Sequence, residues 1–171
     1  LSWLIPLVAL LILIDSRGPV FFTQLRTGLT DNPFYCYKFR SMRINTESDS
    51  KQATKHDSRV TRLGAFLRKT SIDEFPQFFN VFRGEMSLVG PRPHMLKHTS
   101  EYAKIVDHYM IRQMLKPGIT GWAQINGRDD ISIEKKVQLE QEYMNKRSTL
   151  FDIEIIIKTF TNVLFSKGVS H

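Results

Sequence analysis

The stretch RKTSIDEFPQFFNVFRGEMSLVGPRP, Arg68 to Pro93, sets how the rest of the chain is read. It places two adjacent carboxylates, Asp73 and Glu74, at the expected start of a helix, with arginines at Arg68, Arg83 and Arg92 around them. Ser71 followed three residues later by Glu74 matches a capping box. Pro76 fits only the first helical turn, where its missing N–H is not needed. Phe75, Phe78, Phe79 and Phe82 recur at helical spacing and predict an inward-facing apolar side. A plain helix start accounts for all of this. The same geometry also suits anion chemistry, because unpaired amides and the positive end of the helix dipole stabilise a carboxylate and attract phosphate. An ionised aspartate among arginines is a candidate nucleophile toward a phosphoryl group, and its neighbour is a candidate ligand for a divalent cation.

Upstream of this stretch, Trp3 to Ile14 (WLIPLVALLILI) is an uninterrupted apolar run closed by Asp15, Ser16, Arg17 and Gly18. As a helix it would rise only ~18 Å, short of the ~30 Å hydrocarbon core of a bilayer. A buried core helix, a signal-peptide core and part of a membrane helix compete as readings. No small-residue cleavage site follows and the chain continues with Arg17, unlike a signal peptide, and a helix apolar on all sides fits poorly on the surface of a soluble domain. A membrane-inserted helix over residues 1–17 is therefore expected, in a chain truncated at its N-terminus, since Leu1 opens inside the run without a methionine. Val20 to Leu25 and Phe34 to Phe39, with Gly28 and Asp31-Asn32-Pro33 between them, predict a small β-hairpin. Lys38 and Arg40 alternate with Tyr37 and Phe39, which puts both cations on one strand face. Asn45 to Ser58 is polar and reads as a surface loop. Arg59 to Lys69 predicts a short, markedly basic helix.

Downstream, His94 to Met114 reads as a helix with Tyr102, Ile105, Val106, Tyr109 and Met110 on its apolar side. His94 and His98 have i, i+4 metal spacing but no third ligand, and are read as solvated or capping histidines. Lys116 to Arg128 is a glycine-rich loop in which Trp122, Gln124, Asn126 and Arg128 are candidates to face a nucleotide or sugar. A packed Trp122 is an equally ordinary reading. Ser132 to Lys146 predicts a polar amphipathic helix. Phe151 to Phe165 is strongly apolar yet carries Asp152, Glu154 and Lys158, as an interfacial helix over residues 150–167 would.

The bulk numbers agree with one folded domain. The 171 residues are 42% hydrophobic and 24% charged, which argues against disorder. A net charge of +7 favours anionic partners: nucleotides, lipid headgroups, polyprenyl phosphates or nucleic acid. Cys36 is the only cysteine, so no intrachain disulfide forms and a reducing compartment fits.

Five motifs in order then resemble one family, the bacterial sugar transferases, which are monotopic polyprenyl-phosphate phosphoglycosyl transferases. They are FFTQLRTG (Phe21–Gly28), YKFRSM (Tyr37–Met42), DSRVTRLGAFLRKTSIDE (Asp57–Glu74), SLVGPRP (Ser87–Pro93) and KPGITGWAQINGR (Lys116–Arg128). The resemblance covers most of the chain. It implies transfer of a sugar-1-phosphate from a UDP-sugar to a polyprenyl phosphate such as undecaprenyl phosphate, with release of UMP. This step opens bacterial surface-glycan assembly, exopolysaccharide or lipopolysaccharide, on the cytoplasmic face of the inner membrane.

Carried onto matching positions, Asp73 is the nucleophile and Glu74 holds Mg²⁺, with Mn²⁺ as a substitute. Arg68 and Arg92 grip phosphate oxygens. Lys38, Arg40, Gln124 and Arg128 face substrate. The family breaks its membrane helix with a Ser-Pro pair so that the helix re-enters. Here Ser2 is followed by Trp3 and proline comes only at Pro6, so the re-entrant geometry is not secured. HMLKHTSEY (His94–Tyr102) resembles the hexose-1-phosphate branch, whereas Arg128-Asp129-Asp130-Ile131-Ser132 is closer to members acting on modified amino sugars, and the sugar stays open.

The expected fold is a compact α+β domain, 1–171, mainly helical and membrane-associated, with residues 18–149 as its cytoplasmic catalytic core. The oligomeric state is left open. A non-catalytic basic membrane-surface module would explain the charge and the apolar helices without using Asp73 and Glu74. A nucleic-acid binder would explain only the charge, since no recognised module is present.

Overall fold

The computed structural model describes residues 3–45, 54, 57–127 and 131–165, which divide into two compact units. The first contains residues 3–24 and 37–77, and the second residues 25–36 and 78–165. Helices and small sheets are mixed, as an α+β reading expects.

In the first unit, α1 (Leu4–Asp15) is continuous. Pro6 is its third residue, within the first turn, and the opening intrahelical bond comes only from Leu7 N–H to the Trp3 carbonyl (3.3 Å). Val8 and Ile12 of α1 pack on Phe39 and Leu67, with Val20, Leu63, Ile72 and Phe75 around them. Leu7, Leu10, Leu11, Leu13 and Ile14 remain exposed. Among the described residues no helix is long and apolar enough to cross a membrane.

Strands β1 (Phe21–Thr27) and β2 (Pro33–Phe39) form the expected hairpin, closed by Gly28 N–H to the Asn32 carbonyl (2.9 Å). Their outer ends belong to the first unit and the tip, Leu25–Cys36, to the second. Helix α2 (Arg62–Lys69) starts at Thr61, whose hydroxyl accepts from Gly64 N–H (2.9 Å). Gly64 lies so close to Ser41 that a β-carbon there would come within 1.9 Å of the Ser41 carbonyl oxygen.

The turn after α2 corrects the expected capping box. Ser71 has φ +56°, a left-handed conformation unlike the extended backbone of a capping residue, and its side chain makes no cap bond. Ile72–Glu74 forms one 3₁₀ turn, and α3 (Gln77–Phe82) begins just past Pro76. Asn80 and Val81 face inward, whereas Phe78, Phe79 and Phe82 are exposed, Phe82 to 94%.

The second unit contains a parallel pair, β3 (Ser87–Val89), to which no element was assigned from sequence, and β4 (Gly118–Thr120), inside the expected Lys116–Arg128 loop, in register Ser87↔Gly118 and Val89↔Thr120. Gly118 permits it, since a β-carbon there would come within 2.1 Å of Gly90 N. The expected 94–114 helix is broken. Helix α4 (Leu96–Ile105) ends before His108 at φ +59°, and a 3₁₀ segment follows at Tyr109–Met114. Tyr102, Val106 and Tyr109 keep their inward places against Val137, but Ile105 and Met110 are exposed. After the short α5 (Trp122–Ile125), Ser132 caps α6 (Ile133–Lys146), accepting from Lys135 N–H at 3.3 Å. Helix α7 (Thr149–Phe165) buries Ile155 against Val89 and Tyr143 and exposes Leu150, Ile153, Ile157 and Phe160 along another side.

Candidate active site

Asp73 and Glu74 are both buried, at 7% exposure each, on the turn that left-handed Ser71 introduces. Buried carboxylates are costly unless paired. Lys38, leaving β2, supplies the pairing with its ammonium 2.8 Å from Glu74 Oε1. Arg68 arrives from the last turn of α2, its Nε donating to Ser41 Oγ (2.8 Å). Burial lowers the Arg68 pKa from its ordinary value, and the Asp73 carboxylate, then those of Asp57 and Glu74, pull against that. The first unit thus brings Lys38, Arg68, Asp73 and Glu74 into one electrostatic group.

Other cations near α2 have structural work. Arg59 forks onto Asp57, with Nε to Oδ1 at 2.9 Å and Nη2 to Oδ2 at 2.6 Å, and this hydrogen bonding holds the Asp57 pKa well below the carboxylate range. Arg40 lies just past β2 and donates to the carbonyls of Ser16 and Arg17, where its charge meets the C-terminal end of α1. Its guanidinium is therefore engaged in anchoring α1.

In the second unit, half-buried Arg92 sits in the segment Pro91–His94, whose two prolines have no N–H to give. The carbonyls hold it instead. Pro91 accepts from Gly118 N–H (2.9 Å), Arg92 from Arg112 Nη2 (2.7 Å), Pro93 from Arg26 Nη1 (3.1 Å) and His94 from Thr27 N–H (3.0 Å). Arg112 itself is buried against Glu140 of α6, with Nε and Nη2 each bonded to a carboxylate oxygen (2.7 and 2.8 Å). Burial alone would lower the Arg112 pKa, but the Glu140 carboxylate outweighs it and the net shift is upward.

Gln124 donates to the Ile119 carbonyl (3.1 Å). Trp122 is packed, its ring 5.0 Å from that of Phe151 and its N–H on Glu142 (3.1 Å). Arg128 lies outside the described residues. His94 is neither solvated nor a cap, because it packs on Tyr109 with Nδ1 2.6 Å from the phenol oxygen. Burial, then the charges of Arg112, Arg26 and Arg92, push its pKa well down.

Sequence reasoning missed Arg112, Glu140 and Arg26. A single arginine in the apolar run Tyr109-Met110-Ile111-Arg112 was the available signal, since a cation there must find a buried partner.

Among the described residues no group of three or more His, Cys, Asp or Glu side chains could hold a metal. A hard cation that takes one or two carboxylates and completes its shell from water and substrate phosphate still suits the Asp73–Glu74 pair.

Comparison with known proteins places the chain in a family. The chain is similar to a UDP-glucose:undecaprenyl-phosphate glucose-1-phosphate transferase of Xanthomonas campestris pv. campestris, 47% identical over 94% of this chain and 34% of that protein. It is also similar to a UDP-N-acetylgalactosamine-undecaprenyl-phosphate N-acetylgalactosaminephosphotransferase of Aeromonas hydrophila, 41% identical over 94% of this chain and 39% of the relative. An uncharacterized sugar transferase, EpsL, of Bacillus subtilis (strain 168) is 46% identical over 89% of this chain and 73% of its own length. The chain thus spans about a third of the length of the first two relatives. Residues 1–166, carboxylate turn and Arg92 segment included, match the family profile described as bacterial sugar transferase, and the chain belongs to that family.

Proposed function

We propose that this chain transfers a sugar-1-phosphate from a UDP-sugar to a polyprenyl phosphate, the undecaprenyl form named for its relatives, and releases UMP. The observation that carries the reading is the buried Asp73–Glu74 pair, with Glu74 bridged to Lys38 and Asp73 in the field of Arg68. A structural turn has no need of two buried carboxylates. A phosphoryl-transfer site does need an anionic nucleophile among cations.

In the first half-reaction an Asp73 carboxylate oxygen attacks the sugar-proximal phosphorus. The bond from that phosphorus to the bridging oxygen breaks, and UMP leaves with the bond's electron pair. In the second, an oxygen of the lipid phosphate attacks the same phosphorus and displaces the Asp73 carboxylate, giving a polyprenyl diphosphosugar. Lys38, paired with Glu74, holds that carboxylate in place. Arg68 and Arg92 grip phosphate oxygens, for which a planar guanidinium fork is suited. Mg²⁺, or Mn²⁺, held by Glu74 would neutralise diphosphate charge and improve UMP as a leaving group.

Chemistry at the headgroup level requires only a shallow dock at the cytoplasmic face of the bacterial inner membrane. The exposed apolar faces of α1 and α7, each on its own unit, support lipid contact. A basic membrane-surface module would use those faces too, but it leaves the buried carboxylates without a purpose.

The experiment is a UMP-release assay of the full chain with UDP-glucose, UDP-galactose and UDP-N-acetylgalactosamine. One of them should be turned over in a manner dependent on undecaprenyl phosphate. Lipid binding without UMP release from any UDP-sugar would favour the module instead.

A further inference from the structure

The Pro91–Pro93 turn is held more firmly than a surface loop requires. Four consecutive carbonyls, from Pro91 to His94, all accept hydrogen bonds, and two of the donors are guanidinium groups. Backbone amides suffice at Pro91 and His94. At Arg92 and Pro93 the fold instead uses Arg112 and Arg26, the former buried at the cost of desolvating a cation. That cost is met by Glu140, which takes Nε and Nη2 of Arg112, and by the Tyr109 ring, 5.2 Å from the guanidinium carbon. Nη2 serves Glu140 and the Arg92 carbonyl together, so the position of that carbonyl is tied to α6 through one rigid, planar group. An apolar residue of similar size would fill the same space with no desolvation penalty, but it could not hold a carbonyl.

We propose that Arg112, fixed by Glu140, and Arg26 are positioning residues that aim the Arg92 side chain by clamping the Arg92 and Pro93 carbonyls. The inference rests on the reading of Arg92 as a phosphate-gripping group. Arg112 and Arg26 do not touch substrate. They set where the Cα of Arg92 stands, and a phosphate contact misplaced by an ångström loses most of its value in the transition state.

The test is a double-mutant cycle on the full chain in membranes. It uses undecaprenyl phosphate and whichever of UDP-glucose, UDP-galactose and UDP-N-acetylgalactosamine is turned over fastest. Arg112→Lys keeps a cation for Glu140 but cannot reach both partners, and kcat/KM should fall about 10²-fold, with KM rising and kcat falling together. Arg26→Lys removes one half-buried bond and should fall less, in the same direction. In an Arg92→Ala background neither substitution should reduce kcat/KM further, because the group they aim is gone.

A purely structural role predicts the opposite: reduced thermal stability, unchanged KM, and losses that multiply with that of Arg92→Ala. That pattern overturns the inference. If Arg112→Lys does not fold, Arg26→Lys with Arg92→Ala decides by the same criterion. A large loss in Arg92→Ala beside unaffected Arg112→Lys and Arg26→Lys sinks the positioning role alone. An Arg92→Ala enzyme with undiminished kcat/KM, or no turnover of any of the three UDP-sugars by the unmodified chain, sinks the phosphate reading together with it.

Discussion

Gly64→Ala tests the local build of the carboxylate site, because its sign is opposite to the one helix propensity gives. In an ordinary helix the change stabilises by about 1 kcal/mol. Here the added methyl would lie 1.9 Å from the Ser41 carbonyl oxygen and 2.6 Å from its carbon, so α2 and residue 41 must part by more than an ångström. Overpacking of this kind costs about 1–3 kcal/mol. Parting also stretches two bonds, Thr61 N–H to the Ser41 carbonyl (3.2 Å) and Arg68 Nε to Ser41 Oγ (2.8 Å), each worth about 1 kcal/mol. After the propensity gain, the net loss is about 2–4 kcal/mol. For a chain of this size, that lowers the unfolding midpoint by about 5–15 °C. Thermal unfolding of the purified protein, followed by circular dichroism, reads it directly. UMP release should fall as well, since Arg68 travels with α2. A midpoint that rises by a few degrees would refute the close approach of α2 to Ser41.

Three further outcomes are expected. Thr61→Ala should cost about 1 kcal/mol and Ser71→Ala under about 0.5 kcal/mol, because only Thr61 makes a cap bond, and equal costs by thermal unfolding would contradict this. His94 has a folded pKa below its ordinary 6.5, so the unfolded chain binds the extra proton as pH falls through that value. Stability is then full above it and lost below, and the midpoint should drop between about pH 7.5 and about pH 5.5, with a shallower slope in His94→Gln; an unchanged slope there would count against the assignment. Excess chelator should abolish UMP release, and Mg²⁺ or Mn²⁺ should restore it, whereas undiminished turnover would remove Glu74 from its proposed role as a cation ligand.

Local signals made part of this molecule legible. Aromatic and β-branched runs around Gly28 and Asp31-Asn32-Pro33 predict the hairpin, and the amphipathic pattern of Ser132 to Lys146 predicts α6, because each depends on neighbours in sequence. Asp73, Glu74 and Arg68 stood out for the same reason. What escaped depends on distant partners. Ser87–Val89 and Gly118–Thr120 are three residues each, too short for a period, and become strands only because Gly90 and Gly118 let two backbones meet. The capping box failed on a conformation, the left-handed Ser71, that the residue type does not announce. The phenylalanine face failed because Asn80 takes the inward place, bonded to the Tyr35 carbonyl and to Glu85 at 2.7 Å each. Arg40 reads as one of two cations on a strand face, but the carbonyls it donates to, those of Ser16 and Arg17, follow the end of α1, more than twenty residues earlier.

In the proposed reaction Asp73 forms a bond to phosphorus. Intact-protein mass spectrometry of the full chain, incubated with its UDP-sugar, divalent cation and no lipid acceptor, tests it most directly. The chain should gain one sugar phosphate, release UMP in equal amount, and lose the adduct when undecaprenyl phosphate is added. Asp73→Asn retains the shape of the turn but not the anionic oxygen, and should form no adduct while unfolding at nearly the same temperature. An adduct on Asp73→Asn, or none on the unmodified chain under conditions where it turns over, would contradict the covalent role of Asp73.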